Sequence, residues 1–248
     1  MPNDSEWFEN WFDEDYLTLY AHRDLSEARR FVNVLWSALE LEAGALVADI
    51  PCGAGRYSLA FAERGARVVG MDFSPVMLHR AAEACMLGYA CPLFVRGDMR
   101  HIPLIGRFHL VANIFSSLGY FESENDNFMA FSELARLLAP GGFLIVDVVN
   151  PACLREHFIA ETQRAVGDAI VSERRELDLE NKRVIKHVDI NKGSTTRLIR
   201  ESVRLYEQNE LFDFTVACKL HRLEFWGDYS GASLTPQSPR LILVARKN

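Results

Sequence analysis

The stretch that most constrains this chain is LVADIPCGAGRYSLAFAERG, residues 46–65: a short apolar run ends at Asp49, glycines follow at 53 and 55, and a helical pattern starts near Arg56. A buried strand that becomes a helix within so few residues needs backbone with freedom at positive φ, which glycine supplies without steric cost. In α/β folds such a turn lies at the carboxyl end of a strand, where backbone amides can come close to a bound nucleotide.

The same alternation continues down the chain. Apolar, β-branched or aromatic runs occupy 45–50, 66–72, 92–98, 108–115 and 142–150, with helical patterns near 56–64, 75–87 and 124–138. Ser74-Pro75 reads as the N-cap and first residue of the second helix, and Pro140-Gly141-Gly142 as the end of the third. Strands alternating with helices predict a parallel sheet covered on both faces. Ahead of it, residues 7–41 hold an aromatic-rich stretch and then a helix in which Ala28, Phe31, Val32, Leu35, Trp36 and Leu39 share one face. After residue 165 the period changes to 2: IVSERRELDL, RVIKHVDI and TTRLIRESVRLY are separated by turn residues at 180–182 and 191–194, predicting a three-stranded antiparallel insertion. A helix near 208–217 and strands at 219–226 and 240–246 close the chain.

At 248 residues this is one domain of catalytic size, with 27 basic against 34 acidic side chains and a net charge of -7. Nucleic acid is disfavoured as the main partner. The acidic start and the absence of an apolar run near the roughly 18 residues of a membrane span predict a soluble, unsecreted, cytoplasmic protein with no membrane partner. The odd set Cys52, Cys85, Cys91, Cys153 and Cys218 has no C-x-x-C spacing, so reduced thiols are expected, with neither a disulfide framework nor a metal site.

The candidate chemistry lies in carboxylates at successive strand ends. Asp49 ends the first strand, Asp72 ends the second 23 positions later and is followed by Phe73 and Ser74, and Gly97-Asp98-Met99 ends the third. A carboxylate at the second position can accept protons from both ribose hydroxyls, and one at the first can neutralise an ammonium. Ser58 stands where a dinucleotide fingerprint has its third glycine, and no Gly-Lys-Ser/Thr of a P-loop is present. These positions suit a cationic, ribose-bearing ligand such as S-adenosylmethionine.

With these motifs the chain resembles the class I S-adenosylmethionine-dependent methyltransferases, by motif over about residues 40–150 and by layout beyond. The family usually has Asp-x-Gly-x-Gly-x-Gly in the first loop, whereas Pro51 replaces the first glycine here. A bacterial subgroup carrying Pro-Cys-Gly is similar also in YLTLYAHRD (16–24), NIFSSLGYF (113–121) and SPRLILVARK (238–247).

The resemblance implies an α/β fold: a doubly wound, seven-stranded, mostly parallel sheet of order 3-2-1-4-5-7-6 with an N-terminal helical cover and an antiparallel β insertion. The chain then divides into a lid at 1–43, a cofactor-binding core at 44–150, the insertion at 165–206 and core completion at 207–248. Asp49, Gly53 and Gly55, behind the stiff entry of Pro51, would hold the methionine part of S-adenosylmethionine. Asp72, Phe73, Ser74 and Met77 would serve ribose and adenine, Asp98 and Met99 the adenine edge, and Asn113 with Phe115 the transfer face.

The implied reaction moves the sulfonium methyl in line to an O, N or C nucleophile of a small-molecule acceptor, with no metal. General-base candidates are Tyr16, His22, Tyr120 or none. The NIFSSLGYF segment is not the Asn/Asp-Pro-Pro-Tyr/Phe motif used on adenine bases or glutamine.

Other readings stay open beside this one: an NAD-dependent oxidoreductase, or a non-catalytic S-adenosylmethionine-binding partner protein. Trp7, Phe8, Trp11, Phe12, Tyr16 and Tyr20 suit a lid over a cation or plain packing equally. His22 and Arg23 fit a surface or capping place better than a base, and Cys52 fits a small residue behind the ligand loop better than a nucleophile. The alternating charges of SERRELDLENKR read as a solvated strand face, with Arg204 and Tyr206 the insertion's best pocket candidates. The insertion could pair a homodimer across its edge or cover the substrate.

Overall fold

The computed structural model of the chain describes residues 6–21, 24–85 and 91–248. In chain order, a 3-10 turn (Trp7–Glu9) and helices α1 (Glu14–Leu19) and α2 (Leu25–Ala38) lead into β1 (Leu46–Asp49), α3 (Arg56–Glu63), β2 (Arg67–Asp72) and α4 (Pro75–Cys85). There follow β3 (Leu93–Arg96), β4 (Phe108–Asn113), α5 (Glu124–Arg136), β5 (Leu138–Val149) and α6 (Pro151–Glu156). The remaining elements are β6 (Glu161–Val166), β7 (Ala169–Asp178), β8 (Arg183–Lys192), β9 (Thr195–Arg204), α7 (Gln208–Ala217), β10 (Leu220–Trp226) and β11 (Arg240–Lys247).

The strand runs of the first 150 residues are apolar almost throughout because both faces of their sheet are covered. Along β4, Val111 belongs to the same buried cluster as Phe131 and Leu134 of α5, while Leu110 belongs to the cluster on the other side with Phe31 of α2 and Phe61 of α3. The seven strands of this sheet run β3-β2-β1-β4-β5-β11-β10. Pairings from β3 to β5 are parallel, and β11 is antiparallel to both its neighbours. Counted within the sheet this is the expected 3-2-1-4-5-7-6. The apolar stripe of α2 is buried as its spacing predicts, from Ala28 through Leu39.

Three local expectations are corrected. The insertion has four strands, β6-β7-β8-β9, beginning at Glu161 rather than after 165. Its first strand, ETQRAV, is only half-buried along one edge and carries too few apolar residues to show a period. Helix α5 stops at Arg136 and β5 begins at Leu138, so Pro140-Gly141-Gly142 lies within β5, where the pairing with β4 shifts register. Cys85 and Cys91 form a disulfide, with Cα atoms 5.3 Å apart, while Cys52, Cys153 and Cys218 are free. Segments six residues apart can turn back into bridging range without any C-x-x-C spacing. Among the described residues, no helix is long and apolar enough to cross a membrane.

The insertion returns to the core against the NIFSSLGYF segment. Arg204 donates its backbone N–H to the Gly119 carbonyl at 2.8 Å. Gly119 has φ +105°, and a Cβ there would stand 2.6 Å from the Arg204 carbonyl oxygen. Backbone on both sides leaves nothing that can give way. Gly119→Ala is therefore expected to lower stability by about 2 kcal/mol; a urea midpoint unchanged from wild type would contradict this close approach.

Candidate functional site

A cavity of about 280 Å³ opens at the carboxyl edge of the parallel strands. Its floor is made by the loop after β1 and the residues ending β2, β3 and β4, and its roof by the N-terminal aromatic segment. This is where a doubly wound sheet places ligands, because strand-to-helix loops diverge there.

The loop after β1 is clamped to β2. It enters through a cis Ile50–Pro51 peptide. Cys52 then donates its N–H to the Met71 carbonyl at 2.8 Å, and Gly53 donates to Asp72 Oδ2 at 2.8 Å. Gly53 has φ +53° and nothing within 4 Å of the place its Cβ would take, so it leaves the cavity floor open. Gly55 serves a different end: at φ +79° its Cβ would stand 2.9 Å from that of Ala81, so its bareness admits α4 against the start of α3.

The three carboxylates fall into three environments. Asp72, on the cavity wall, accepts Gly53 N–H on one oxygen and Ser74 N–H on the other, each at 2.8 Å. Burial pushes its pKa up to about 6 against the pull of those amides. Asp49 is 1% exposed and lies behind the wall. Its Oδ2 accepts the Ser58 hydroxyl at 2.6 Å, its Oδ1 has no hydrogen-bond partner, and burial pushes its pKa up to about 7. Asp98, also on the wall, would be raised by its half-burial, but the two-pronged Arg100 guanidinium holds it below the usual carboxylate range.

Beside Asp49, Asn113 is fully buried at the end of β4. Its amide NH₂ donates to the Ile50 carbonyl and its Oδ1 lacks a partner. Two orphaned acceptors at the ends of adjacent strands β1 and β4 ask for a donor, which an ammonium or a buried water bound to one supplies. With Asp72 ready to accept hydroxyl protons and Phe73, Met77 and Met99 supplying apolar walls, the donor set fits S-adenosylmethionine. Ser74 does not face the cavity: it caps α4 through Met77 N–H and donates its hydroxyl to the Phe12 carbonyl at 2.5 Å.

The aromatic segment both covers and packs. Phe8, Phe12, Tyr16 and Tyr20 line the cavity, as does Tyr120, which packs face to face with Phe12 at 5.8 Å. Trp11 instead buries with Leu19 against Ala169, Val171, Val188 and Ile190 of the insertion and donates its indole N–H to Glu201 at 2.6 Å. Arg197 pairs with Asp13 and Asp15, and Lys186 donates to the Tyr20 hydroxyl at 2.7 Å while pairing with Glu201. The inner face of the insertion thus grips the cover, while Arg174 and Glu176 of the SERRELDLENKR stretch stay exposed to solvent. His22 and Arg23 lie outside the described residues.

Arg204 and Tyr206 do not reach the cavity. Arg204 pairs with Glu124 and Glu210, and the Tyr206 hydroxyl donates to Glu124. Sequence reasoning missed Arg100, which also pairs with Glu6 of the cover, and Arg56, which stands at the cavity beside the Phe115 ring. It missed Asp147 as well, which is buried beneath Phe115. Asp147 sits in a valine-rich strand, and a charged residue interrupting VDVV was the available signal.

The sheet order places the chain in the fold shared with solved S-adenosylmethionine-dependent methyltransferases. Residues 47–142 match the family described as "Methyltransferase domain". The chain is 33% identical over 124 residues to the putative methyltransferase YqeM of Bacillus subtilis, covering 50% of each. It thus spans about half the length of the curated relatives it matches. Among solved structures, the CcbJ methyltransferase of Streptomyces caelestis superposes with TM-score 0.81 over 96% of this chain and 98% of that one, at 21% identity. CalS10, an amino pentose methyltransferase of Micromonospora echinaspora solved with S-adenosylmethionine bound, gives 0.67 over 95% and 97%, at 19% identity. At these identities the structural likeness establishes the fold.

Asp49 and Asp72 both bind a proton more tightly in the folded protein than an aspartate of an unfolded chain, whose ordinary pKa is 3.8. Between that value and about 7 the native state therefore holds the extra proton, and stability falls as pH rises through this window. Asp49→Asn removes the larger share. The stability difference, variant minus wild type, is expected to grow from pH 4 to pH 7 in ligand-free urea denaturation, and a difference that shrinks would contradict the burial of an unpaired carboxylate.

Proposed function

We propose that this chain is an S-adenosylmethionine-dependent methyltransferase acting on a small-molecule acceptor. The observation that carries the reading is Asp72: a carboxylate at the end of β2, on the cavity wall, held by the amides of Gly53 and Ser74. Each of its oxygens keeps a lone pair for a ribose hydroxyl. The methyltransferase family match over 47–142 and the fold likeness support the same reading.

S-adenosylmethionine supplies a methyl carbon on a positively charged sulfur that leaves readily as a neutral thioether. What remains for the protein is to align, desolvate and screen. Asp49 and Asn113 receive the ammonium end, directly or through water, over the open backbone of Gly53. Asp72 orients the ribose, Phe73 and Met77 flank the adenine, and Asp98, fixed by Arg100, takes the exocyclic amine beside Met99. Phe115 bounds the transfer face.

The acceptor's lone pair forms the new bond to carbon as the carbon–sulfur bond breaks, and an N–H or O–H acceptor gives its proton to solvent or to a base. Tyr16 and Tyr120, both on the cavity wall, are the phenols positioned for hydrogen bonding to the acceptor. Cys52 is held as a thiol, since burial pushes its pKa well above the ordinary value, and no covalent enzyme intermediate is needed. The aromatic cover closes over a cavity sized for small molecules, and the sugar methyltransferase among its fold neighbours supports a small acceptor. The insertion acts here as the outer support of the cover.

Calorimetric binding of S-adenosylmethionine, S-adenosylhomocysteine and NAD, after removal of co-purified ligand, tests the reading. Micromolar binding of the first two without NAD is expected. Binding of NAD alone would replace the reading by an oxidoreductase, and binding of none by a non-catalytic role. Asp72→Ala should weaken S-adenosylhomocysteine by about 1.5–3 kcal/mol with the fold kept.

Because the ionised carboxylate accepts the ribose protons, affinity should fall as pH drops below about 6, where Asp72 of the free protein takes up a proton. A flat affinity between pH 5 and 7 would remove Asp72 from the ribose.

A further inference from the structure

Immediately after β4 the chain makes a corner that L-residues disfavour. Phe115 has φ +74° and Ser116 φ +60°, consecutive non-glycine residues in the left-handed region. Such backbone persists only where its surroundings over-determine it.

The surroundings here are one buried cluster. Phe115 donates its N–H to Asp147 Oδ2 at 2.8 Å, and Ser116 donates its N–H to the Asp147 carbonyl oxygen at 2.9 Å. The Tyr229 hydroxyl donates to the same Oδ2 at 2.9 Å. Arg240 donates its Nε–H to Asp147 Oδ1 at 2.7 Å and reaches past it with a terminal amine to Ser116 Oγ at 2.8 Å.

Asp147 is wholly buried and the Arg240 side chain is only 15% exposed. β11, antiparallel beside β5, carries Arg240 to this place, and the loop that precedes it carries Tyr229. A buried ion pair is commonly matched or bettered for stability by apolar residues of the same volume, and glycine would make the corner without strain. The cluster is therefore poorly explained as stabilisation, and what it holds is a cavity wall: Ile114, Phe115, Ser117 and Tyr120 all line the site.

We infer that Asp147, Arg240 and Tyr229 are positioning residues that hold the Phe115–Ser116 corner, and with it the transfer face, in ligand-binding geometry. This assignment rests on the methyltransferase reading above. None of the three lines the cavity, and they act through the corner.

The test uses the full chain with Tyr229→Phe, Arg240→Lys and Ser116→Gly, measuring the thermal midpoint without ligand, calorimetric affinity for S-adenosylhomocysteine, and amide exchange over 115–121. Tyr229→Phe and Arg240→Lys are expected to lose about threefold to tenfold in affinity, the worth of one hydrogen bond, with faster exchange confined to 115–121. Ser116→Gly separates positioning from stability: relief of the left-handed strain raises its midpoint, while the loosened corner lowers its affinity. Should Arg240→Lys fail to fold, the other two variants decide. Wild-type affinity in the folded variants, whatever their midpoints, would overturn the assignment. A wild-type protein that binds neither S-adenosylmethionine nor S-adenosylhomocysteine would instead overturn the reading beneath it.

Discussion

The hydrogen bonds at Asp72 are the constraint on which the site depends. A carboxylate at the end of β2 accepts the amide of Gly53 from the loop after β1 and that of Ser74 from its own turn. Two strand-to-helix connections are thereby locked to each other, with α4 starting at one and α3 following the other. Burial makes this expensive for the carboxylate, which is why its proton affinity rises. The same burial makes it a strong acceptor for hydroxyls entering from the cavity, since a hydrogen bond to a desolvated charge is worth more than one in water.

Above this floor the cover is held from two sides. Ser74 and Tyr120 of the core accept or donate hydrogen bonds to Phe12 and Trp7, and the insertion holds Trp11, Asp13, Asp15 and Tyr20. The insertion is thus mechanically part of the site without lining it: its residues meet the outer face of the aromatic segment whose inner face bounds the cavity. Gly119 and Arg204 join the other end of the insertion to the segment after β4, so cover, insertion and transfer face form one connected shell.

Much of this was legible in residues 46–150 because a doubly covered parallel sheet writes its order of strands and helices into long apolar and amphipathic runs. The carboxylates were legible for a related reason: Asp49 and Asp72 are the last residues of β1 and β2 and Asp98 lies two residues past β3, and strand ends define the ligand edge in this topology. Expectations failed where the signal was not periodic. ETQRAV has no clear apolar face, so the first insertion strand was hidden. Arg204 and Tyr206 were misplaced because their carboxylate partners, Glu124 and Glu210, come from other elements. Ser74 was assigned to the ligand when its hydroxyl is spent on a helix cap and on the cover.

The sequence by itself determined the class of fold, the glycine loop and which strand ends carry acidic side chains, since these follow from local periodicity and from residue types with few conformational uses. Only the tertiary structure decided what each carboxylate faces: Asp72 the cavity, Asp98 the fork of Arg100, Asp49 a buried serine with one oxygen left unpartnered. It alone brought Asp147, Tyr229 and Arg240 together beneath Phe115, across 125 residues of chain from Phe115 to Arg240. The reason is physical. Desolvation and hydrogen-bond partners are properties of a three-dimensional neighbourhood, and residues so far apart in the chain share one only after the last strand has inserted beside the fifth.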